Sequence, residues 1–364
     1  MEQVSLVSYN VFLRPYLIKS NESDYKESRA RLMLEELKRF DVVCLQEAFD
    51  NFSHRRFLLL ELAAKAGFHY FALPDPCWFL DGYLIESGLV ILSRFPIVHS
   101  EFHEYPQGVQ SDSVAKKGVL FARILVHERF LNVFTTHTQA SYFDGDFAKD
   151  GPAFCRRLLQ LQSLKRFIDK TLERFETKGD VNILAGDLNV NSRAKSYPLE
   201  DILEVFPSLR ESELPCNLCN EYDLLEAVFN PSESPYKMVD VLLEKHGRHL
   251  VTYGDAEEID GLFLPLDPIL TDAGEQCSMQ RLDYIFEIFP KQKSPSAEFL
   301  EASVEKFNVK NKPFKQLSDH YGVAVQLRFL EDSDQKAPIE SKPVAPVSQA
   351  EKALAAAEKQ ESSS

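Results

Sequence analysis

Two histidines and a set of short acids and amides, each at the end of an apolar stretch, are the residues of this chain that could do chemistry. In chain order they fall in Tyr9-Asn10, Leu45-Gln46-Glu47, Thr136-His137-Thr138-Gln139, Gly186-Asp187-Leu188-Asn189-Val190-Asn191, Arg281-Leu282-Asp283-Tyr284 and Ser318-Asp319-His320. Carboxylates and amides hold hard cations through oxygen, and an imidazole moves protons near neutral pH. Gathered at one rim, such a set can hydrolyse a phosphate ester with the help of a metal ion.

The residue types suggest a division of labour. His320 is the expected general base toward water, with Asp283 as the carboxylate that orients its ring. His137 is expected to donate a hydrogen bond or proton to phosphoryl oxygens as charge develops there. Asp319 has three readings: an aid to the metal, a partner of His137, or a strand cap. Asn10 and Glu47, with Asp187 and Asn189, form an oxygen-rich set without a thiolate or three-histidine cluster. The expected cofactor is therefore Mg2+, with Mn2+ as the substitute.

Each residue also has a plainer reading. A lone histidine is usually a satisfied core residue. Glu47 is a solvated strand end unless it is buried, where a carboxylate needs a cation or strong donors. Asn10 suits a turn, and so does Gly-Asp-x-Asn, in which Gly186 is expected to permit a tight bend that turns Asp187 and Asn189 to one rim. Lys117, just before Gly118, is either a point charge for a phosphate oxygen or a solvated lysine.

The elements that must position these groups are legible as apolar runs at Val4–Phe12, Val42–Gln46, Gly88–Ser93, Val119–Val126, Leu131–Thr136, Val181–Ala185, Leu282–Ile288 and Gly322–Leu330. Apolar on both faces, they predict strands of a covered sheet. Helical periodicity predicts helices over Tyr25–Phe40, Ser53–Ala66 and Ala153–Phe175, the last with Leu158, Leu161, Leu164, Phe167, Ile168 and Leu172 on one face. The expected fold is an α/β layered sandwich with sheet inside and helices outside, hinting at two similar halves. Residues 1–330 are expected to form the catalytic domain. The segment 192–280 carries short helices and insertions around the site, and 331–364, rich in Ala, Ser, Lys, Glu and Pro, is expected to be a disordered tail.

Composition narrows the partners. The chain has 364 residues, 44% of them apolar, and a net charge of −15. No dense Lys/Arg stripe is present, so a nucleic-acid partner is not expected. The N-terminus lacks the features of a signal peptide and no run is long enough for a membrane span, so the expected location is cytoplasmic, with peripheral docking on membranes. The six cysteines are read as free thiols, because Cys216 and Cys219 lack the second pair a zinc site requires. Trp78 and Phe79, in a turn-rich segment, are the expected membrane-facing aromatics.

The chain resembles the endonuclease/exonuclease/phosphatase superfamily of pancreatic-deoxyribonuclease type, and within it the neutral sphingomyelinases. The resemblance rests on Val7-Ser8-Tyr9-Asn10-Val11-Phe12-Leu13-Arg14-Pro15, on Asp41 to Asp50 with its Glu47-Ala48-Phe49-Asp50 ending, on Ser87 to Ile97, on Lys117-Gly118 and on Thr136 to Ala140. It implies two packed central β-sheets flanked by helices. It also implies Mg2+ on Glu47 with Asn10 beside it, and Asp187 and Asn189 placing water and gripping phosphate or a second cation. The implied substrate is sphingomyelin or a related phospholipid at a membrane surface, cleaved to a ceramide- or diacylglycerol-type product and phosphocholine, with no obligate protein partner. Two departures stand out: Thr138 after His137, where the family usually has leucine, and the long segment between Asn191 and Asp283. A nuclease, an inositol-phosphate phosphatase and a non-catalytic binder are the rivals. Arg193 suits the phosphatase, but its Pro-x-Trp-x-Asp-Arg-like motif is absent.

Overall fold

The computed structural model describes residues 3–14, 25–50, 54–75, 83–141, 147–175, 179–194, 196–205, 218–267 and 276–330. Trp78, Phe79, Cys216 and the expected tail 331–364 lie outside the described residues. Along the chain run β1 (Gln3–Leu13), α1 (Lys26–Leu37), β2 (Val42–Ala48), α2 (Arg55–Lys65), β3 (Tyr70–Ala72), β4 (Val90–Ser93) and β5 (Ile97–Glu104). Then come β6 (Gly118–Val126), β7 (Arg129–His137), α3 (Phe147–Phe175), β8 (Val181–Asp187), β9 (Tyr197–Pro198), α4 (Leu199–Val205) and β10 (Leu218–Cys219). The chain continues through α5 (Glu221–Phe229), β11 (Tyr236–Asp240), α6 (Val241–His246), β12 (Ala256–Ile259) and β13 (Leu262–Pro265). It closes with β14 (Asp283–Pro290), β15 (Ala297–Glu305) and β16 (Gly322–Phe329).

Two six-stranded mixed sheets result, in the orders β15-β16-β1-β2-β4-β3 and β11-β14-β8-β7-β6-β5. Each has a parallel pair at its centre, β1 with β2 and β7 with β8, and each pair is joined through a helix, α1 or α3. A parallel pair requires such a crossover, so the two expected halves are visible in the topology. Three apolar layers fix the order helix–sheet–sheet–helix. One packs α3 and α5 on the second sheet, through Phe121, Phe134, Leu161, Leu164 and Ile168. One lies between the sheets, where Leu6, Cys44 and Val323 meet Leu120, Val133 and Ile285. The third packs α1 and α2 on the first sheet. Burying a side chain of that size contributes about 1.5–3 kcal/mol, so the middle layer holds the sheets firmly together.

The eight expected strands are all present, while β5, β15 and the five short strands β9 to β13 within 192–280 had not been anticipated. β5 and β15 are half-buried along most of their length, and polar residues interrupt them (Ile-Val-His-Ser-Glu-Phe-His-Glu in β5). A half-exposed edge strand needs no apolar run, so the pattern that reveals central strands is missing there. The expected apolar face of α3 is buried throughout, from Leu158 to Leu172.

Candidate active site at the seam of the two sheets

Strand register builds the first half of the site. His137 at the end of β7 lies opposite Asp187 at the end of the parallel strand β8, and Asp187 lies opposite Asp283 at the start of the antiparallel β14. Gly118 at the start of β6 lies opposite His137, which brings Lys117 to the same edge. The first sheet supplies the facing rim. Asn10 on β1 pairs with Gln46 on β2, so Glu47 emerges beside it, and the turn Ser318-Asp319-His320 leads into β16, which pairs with β1. Asn10 Nδ2 closes the seam, donating to Asp187 Oδ2 at 2.9 Å and to Glu47 Oε1 at 3.3 Å.

Local backbone explains why the groups point inward. Gly186 lies within the extended strand β8, so it does not make the expected turn. Its role is close approach: a Cβ there would stand 2.2 Å from the Thr136 carbonyl oxygen. The bend comes after it, at Asn189 with φ 49°, and Glu47 likewise has φ 54°. Left-handed backbone at a residue other than glycine stores strain, and here it falls on two of the expected site residues. Asn189 N–H donates to Asp187 Oδ1 at 3.0 Å, and Asn189 Nδ2 donates to the Thr138 carbonyl at 3.1 Å. The Thr138 hydroxyl donates to the Leu188 carbonyl, tying the β7 end to the β8 end; the departure from leucine thus has a structural use.

Asp187 Oδ2 is the hub. His137 Nε2 lies 3.5 Å from it and His320 Nε2 3.7 Å. His320 Nδ1 meets Asp283 Oδ2 at 2.9 Å, the contact that fixes a ring tautomer. Lys117, buried, reaches His137 Nε2 at 3.2 Å, the Thr138 carbonyl at 2.6 Å and Asp112 Oδ2 at 3.1 Å. The solvated reading of Lys117 is therefore excluded. Asp319 accepts from the Ser318 hydroxyl at 3.2 Å, while the carboxylate beside His137 is that of Asp187.

The charges follow from these neighbours. Burial works to raise the Glu47 pKa, but Arg14, His137 and His320 outweigh it and hold the carboxyl well below its ordinary range. Burial, then the Lys117 ammonium, push His137 down to about 4. Burial also acts to lower His320, yet Asp283 and Asp187 outweigh it and raise the ring to about 10. Burial pushes Asp319 up to about 6, against the pull of His320 and Arg14.

Asp187, Asp283 and His320 each place one ligand-type atom within 4.8 Å of the others. His320 Nδ1 is committed to Asp283 at 2.9 Å and its Nε2 stands 3.7 Å from Asp187, so within that trio the ring serves as a partner of the two carboxylates rather than as a ligand for a cation. The oxygens around it fit a hard divalent cation better: the Glu47 carboxyl is held well below its ordinary pKa, Asp187 faces it across Asn10, and the buried Asp283 Oδ1 has no hydrogen-bond partner among the described residues.

Three contributors were not foreseen. Arg14 grips Glu47 through Nε at 2.8 Å and through its terminal nitrogen at 3.4 Å. Asp112 holds Lys117, and the Tyr253 ring lies 4.8 Å from the His320 ring. Arg14 had a sequence signal in its closeness to Asn10; Tyr253 and Asp112 had none, because only tertiary folding brings them in.

Residues 7–286 match the sequence profile of the Endonuclease/Exonuclease/phosphatase family. A sphingomyelinase of Dictyostelium discoideum is 32% identical over 377 residues, covering 87% of this chain and 77% of that protein. Sphingomyelinase C of Listeria ivanovii is 26% identical over 210 residues, covering 53% of this chain and 58% of that protein. The crystal structure of a Staphylococcus aureus beta toxin variant with bound magnesium ions superposes with a TM-score of 0.56, at 20% identity over 89% of this chain and 99% of that one. At that identity the likeness speaks for the fold.

Proposed function

This chain belongs to the Endonuclease/Exonuclease/phosphatase family, among its sphingomyelinase-like members, and from that premise we propose that it is a phosphoric diester hydrolase that cleaves sphingomyelin or a related choline phospholipid. The observation that carries the reading is the seam itself: His137, Asp187 and Asp283 from one sheet meet Asn10, Glu47 and His320 from the other. Water forms the new P–O bond, the P–O bond to the lipid breaks, and the lipid oxygen leaves as a hydroxyl. The products are a ceramide- or diacylglycerol-type lipid and phosphocholine.

Bound by Glu47 and Asn10, a divalent cation such as Mg2+ would supply positive charge for the phosphoryl oxygens and the leaving oxygen. Asp283 holds His320 by Nδ1, leaving Nε2 to take a proton from water, and the carboxylates around the ring make it a strong base once its own proton is lost. Lys117 and the Asn189 side chain, both on the Thr138 carbonyl, stand where they can stabilise negative charge at phosphorus. Asp187 fixes both histidines and the Asn10 amide relative to one another.

An exposed hairpin supports a lipid substrate. Among the described residues, strands β12 and β13 pair only with each other, and Ile259, Leu262, Phe263 and Leu264 are 46, 65, 56 and 44% exposed. The hairpin is rooted beside the site: Tyr253 bridges to His320, and Asp255 accepts from the Tyr321 hydroxyl at 2.9 Å. An apolar tip next to a phosphodiester site suits a bilayer surface. No helix among the described residues is long and apolar enough to cross a membrane. Cys44, Cys155 and Cys277 are free thiols, which suits work in a reducing compartment such as the cytoplasm.

The test is a substrate panel under chelation and Mg2+ add-back. Phosphocholine release from sphingomyelin vesicles should stop in excess chelator and return with Mg2+, while duplex DNA stays intact. Full activity in chelator would remove the metal from the proposal; DNA nicking without phosphocholine release would remove the lipid.

A further inference from the structure

Arg14 sits where a metal ligand's counter-charge would sit, and a break in strand pairing puts it there. Between Asn10 and Leu13 the register of β1 against β2 shifts, from Asn10 opposite Gln46 to Leu13 opposite Ala48, so β1 carries an extra residue. Phe12 within this bulge has φ 51°. Bulges re-aim side chains beside active sites, and this one turns Arg14 back over the β2 end. The Arg14 carbonyl is fastened by Arg55 Nη1 at 2.8 Å, so the backbone is anchored, while among the described residues the guanidinium is held by side chains. That guanidinium occupies both oxygens of Glu47 and also lies 4.3 Å from the Phe12 ring centroid. The Arg14 side chain is 34% exposed and that of Glu47 only 7%, so the arginine caps the buried carboxylate from the solvent side.

Resting on the metal reading above, we propose that Arg14 is a displaceable counter-ion for Glu47: it neutralises and orients the buried carboxylate before a divalent cation binds, and the cation takes its place. The physical reason is competition for lone pairs. A guanidinium bound to both oxygens spends the electron density that a hard cation needs, and two cations on one carboxylate repel each other. Without Arg14, Glu47 would be a buried, unpaired charge on strained backbone, and the empty protein would lose stability. Arg14 thus lowers the affinity for the cation while keeping its ligand in position.

Calorimetric titration of Mg2+ into substrate-free protein tests the exchange apart from catalysis. Arg14→Met should bind Mg2+ roughly fivefold more tightly than the wild type, the factor that about 1 kcal/mol of lost competition supplies. It should also melt at a lower temperature without metal. Arg14→Lys, a point charge without the two-pronged grip, should fall between the two. Equal or weaker Mg2+ binding by Arg14→Met overturns the exchange and leaves the metal assignment standing, whereas no Mg2+ binding by the wild type removes both. A second measurement on the wild type covers failure of the variant to fold. The Arg14 Nε–H resonance should shift during Mg2+ titration with the calorimetric midpoint, and a resonance that stays fixed at saturation overturns the proposal.

Discussion

The β7 end and the turn before β16 hold two histidines in nearly matching positions whose pKa values are shifted in opposite directions. His137 and His320 are both buried, and each puts Nε2 within 3.7 Å of the same Asp187 oxygen. One is pushed down to about 4 and the other raised to about 10. Burial acts in the same direction on both, so the neighbours decide: Lys117 lies against His137, and Asp283 lies against His320. The shared carboxylate thus lies between a ring that favours its neutral form and one that favours its protonated form, and His320 must lose its own proton before it can take one from water. Position alone does not set the protonation of a buried imidazole; the second contact of each ring does.

That pairing can be broken at its centre. Asp187→Ala removes the group both rings share and should lower kcat by roughly 10⁴-fold, more than either histidine substitution alone. A loss no larger than that of His137→Ala, measured with the same vesicle substrate, would mean that Asp187 is not common to both. The His137 side can be broken separately. Lys117→Met removes the charge that, after burial, presses His137 downward, so its titration should move up from about 4 toward the ordinary imidazole value, as followed by NMR. Activity should fall about tenfold, through lost charge at phosphorus. A His137 that still titrates near pH 4 would make burial the whole cause.

The smallest effect is in stability without substrate or cation. His320 has a raised folded pKa, so its stabilisation is complete below the unfolded value near 6.5 and is lost as pH rises toward about 10. His137 has a lowered one; its contribution is complete above 6.5 and is lost as pH falls toward about 4. The melting difference between wild type and His320→Gln should therefore shrink by a few degrees on going to alkaline pH. The difference for His137→Gln should shrink on going to acid. Parallel slopes for the two variants would erase the contrast.

How much of this was readable depends on the kind of information each residue carries. Central strands such as β2 and β8 are buried on both faces and announce themselves as apolar runs; β5 and β15 keep polar residues and do not. The polar residues ending those central runs were legible because a carboxylate or imidazole at the end of a buried strand is out of keeping with its surroundings. Their charge states were not. Those depend on Lys117 meeting His137 and on Asp283 meeting His320, partners 20 and 37 residues away along the chain. Gly186 was legible as necessary, but its reason, the nearby Thr136 carbonyl, is a contact between strands that local turn chemistry cannot reveal. The apolar surface was expected at Trp78 and Phe79, which lie outside the described residues, whereas the exposed apolar side chains of β12–β13 were not anticipated.

The Asn10 amide, bonded to one carboxylate from each sheet, makes the site a fastening as well as a workplace. Any ligand that engages both rims binds the docked sandwich and has no site on separated sheets, so its binding free energy adds to the cohesion of the fold by mass action. At a hundred times its dissociation constant such a ligand contributes about 2.7 kcal/mol. The reverse also holds. A substitution deep in the layer between the sheets, far from any catalytic atom, loosens the fastening and weakens ligand affinity in proportion to the population of undocked molecules.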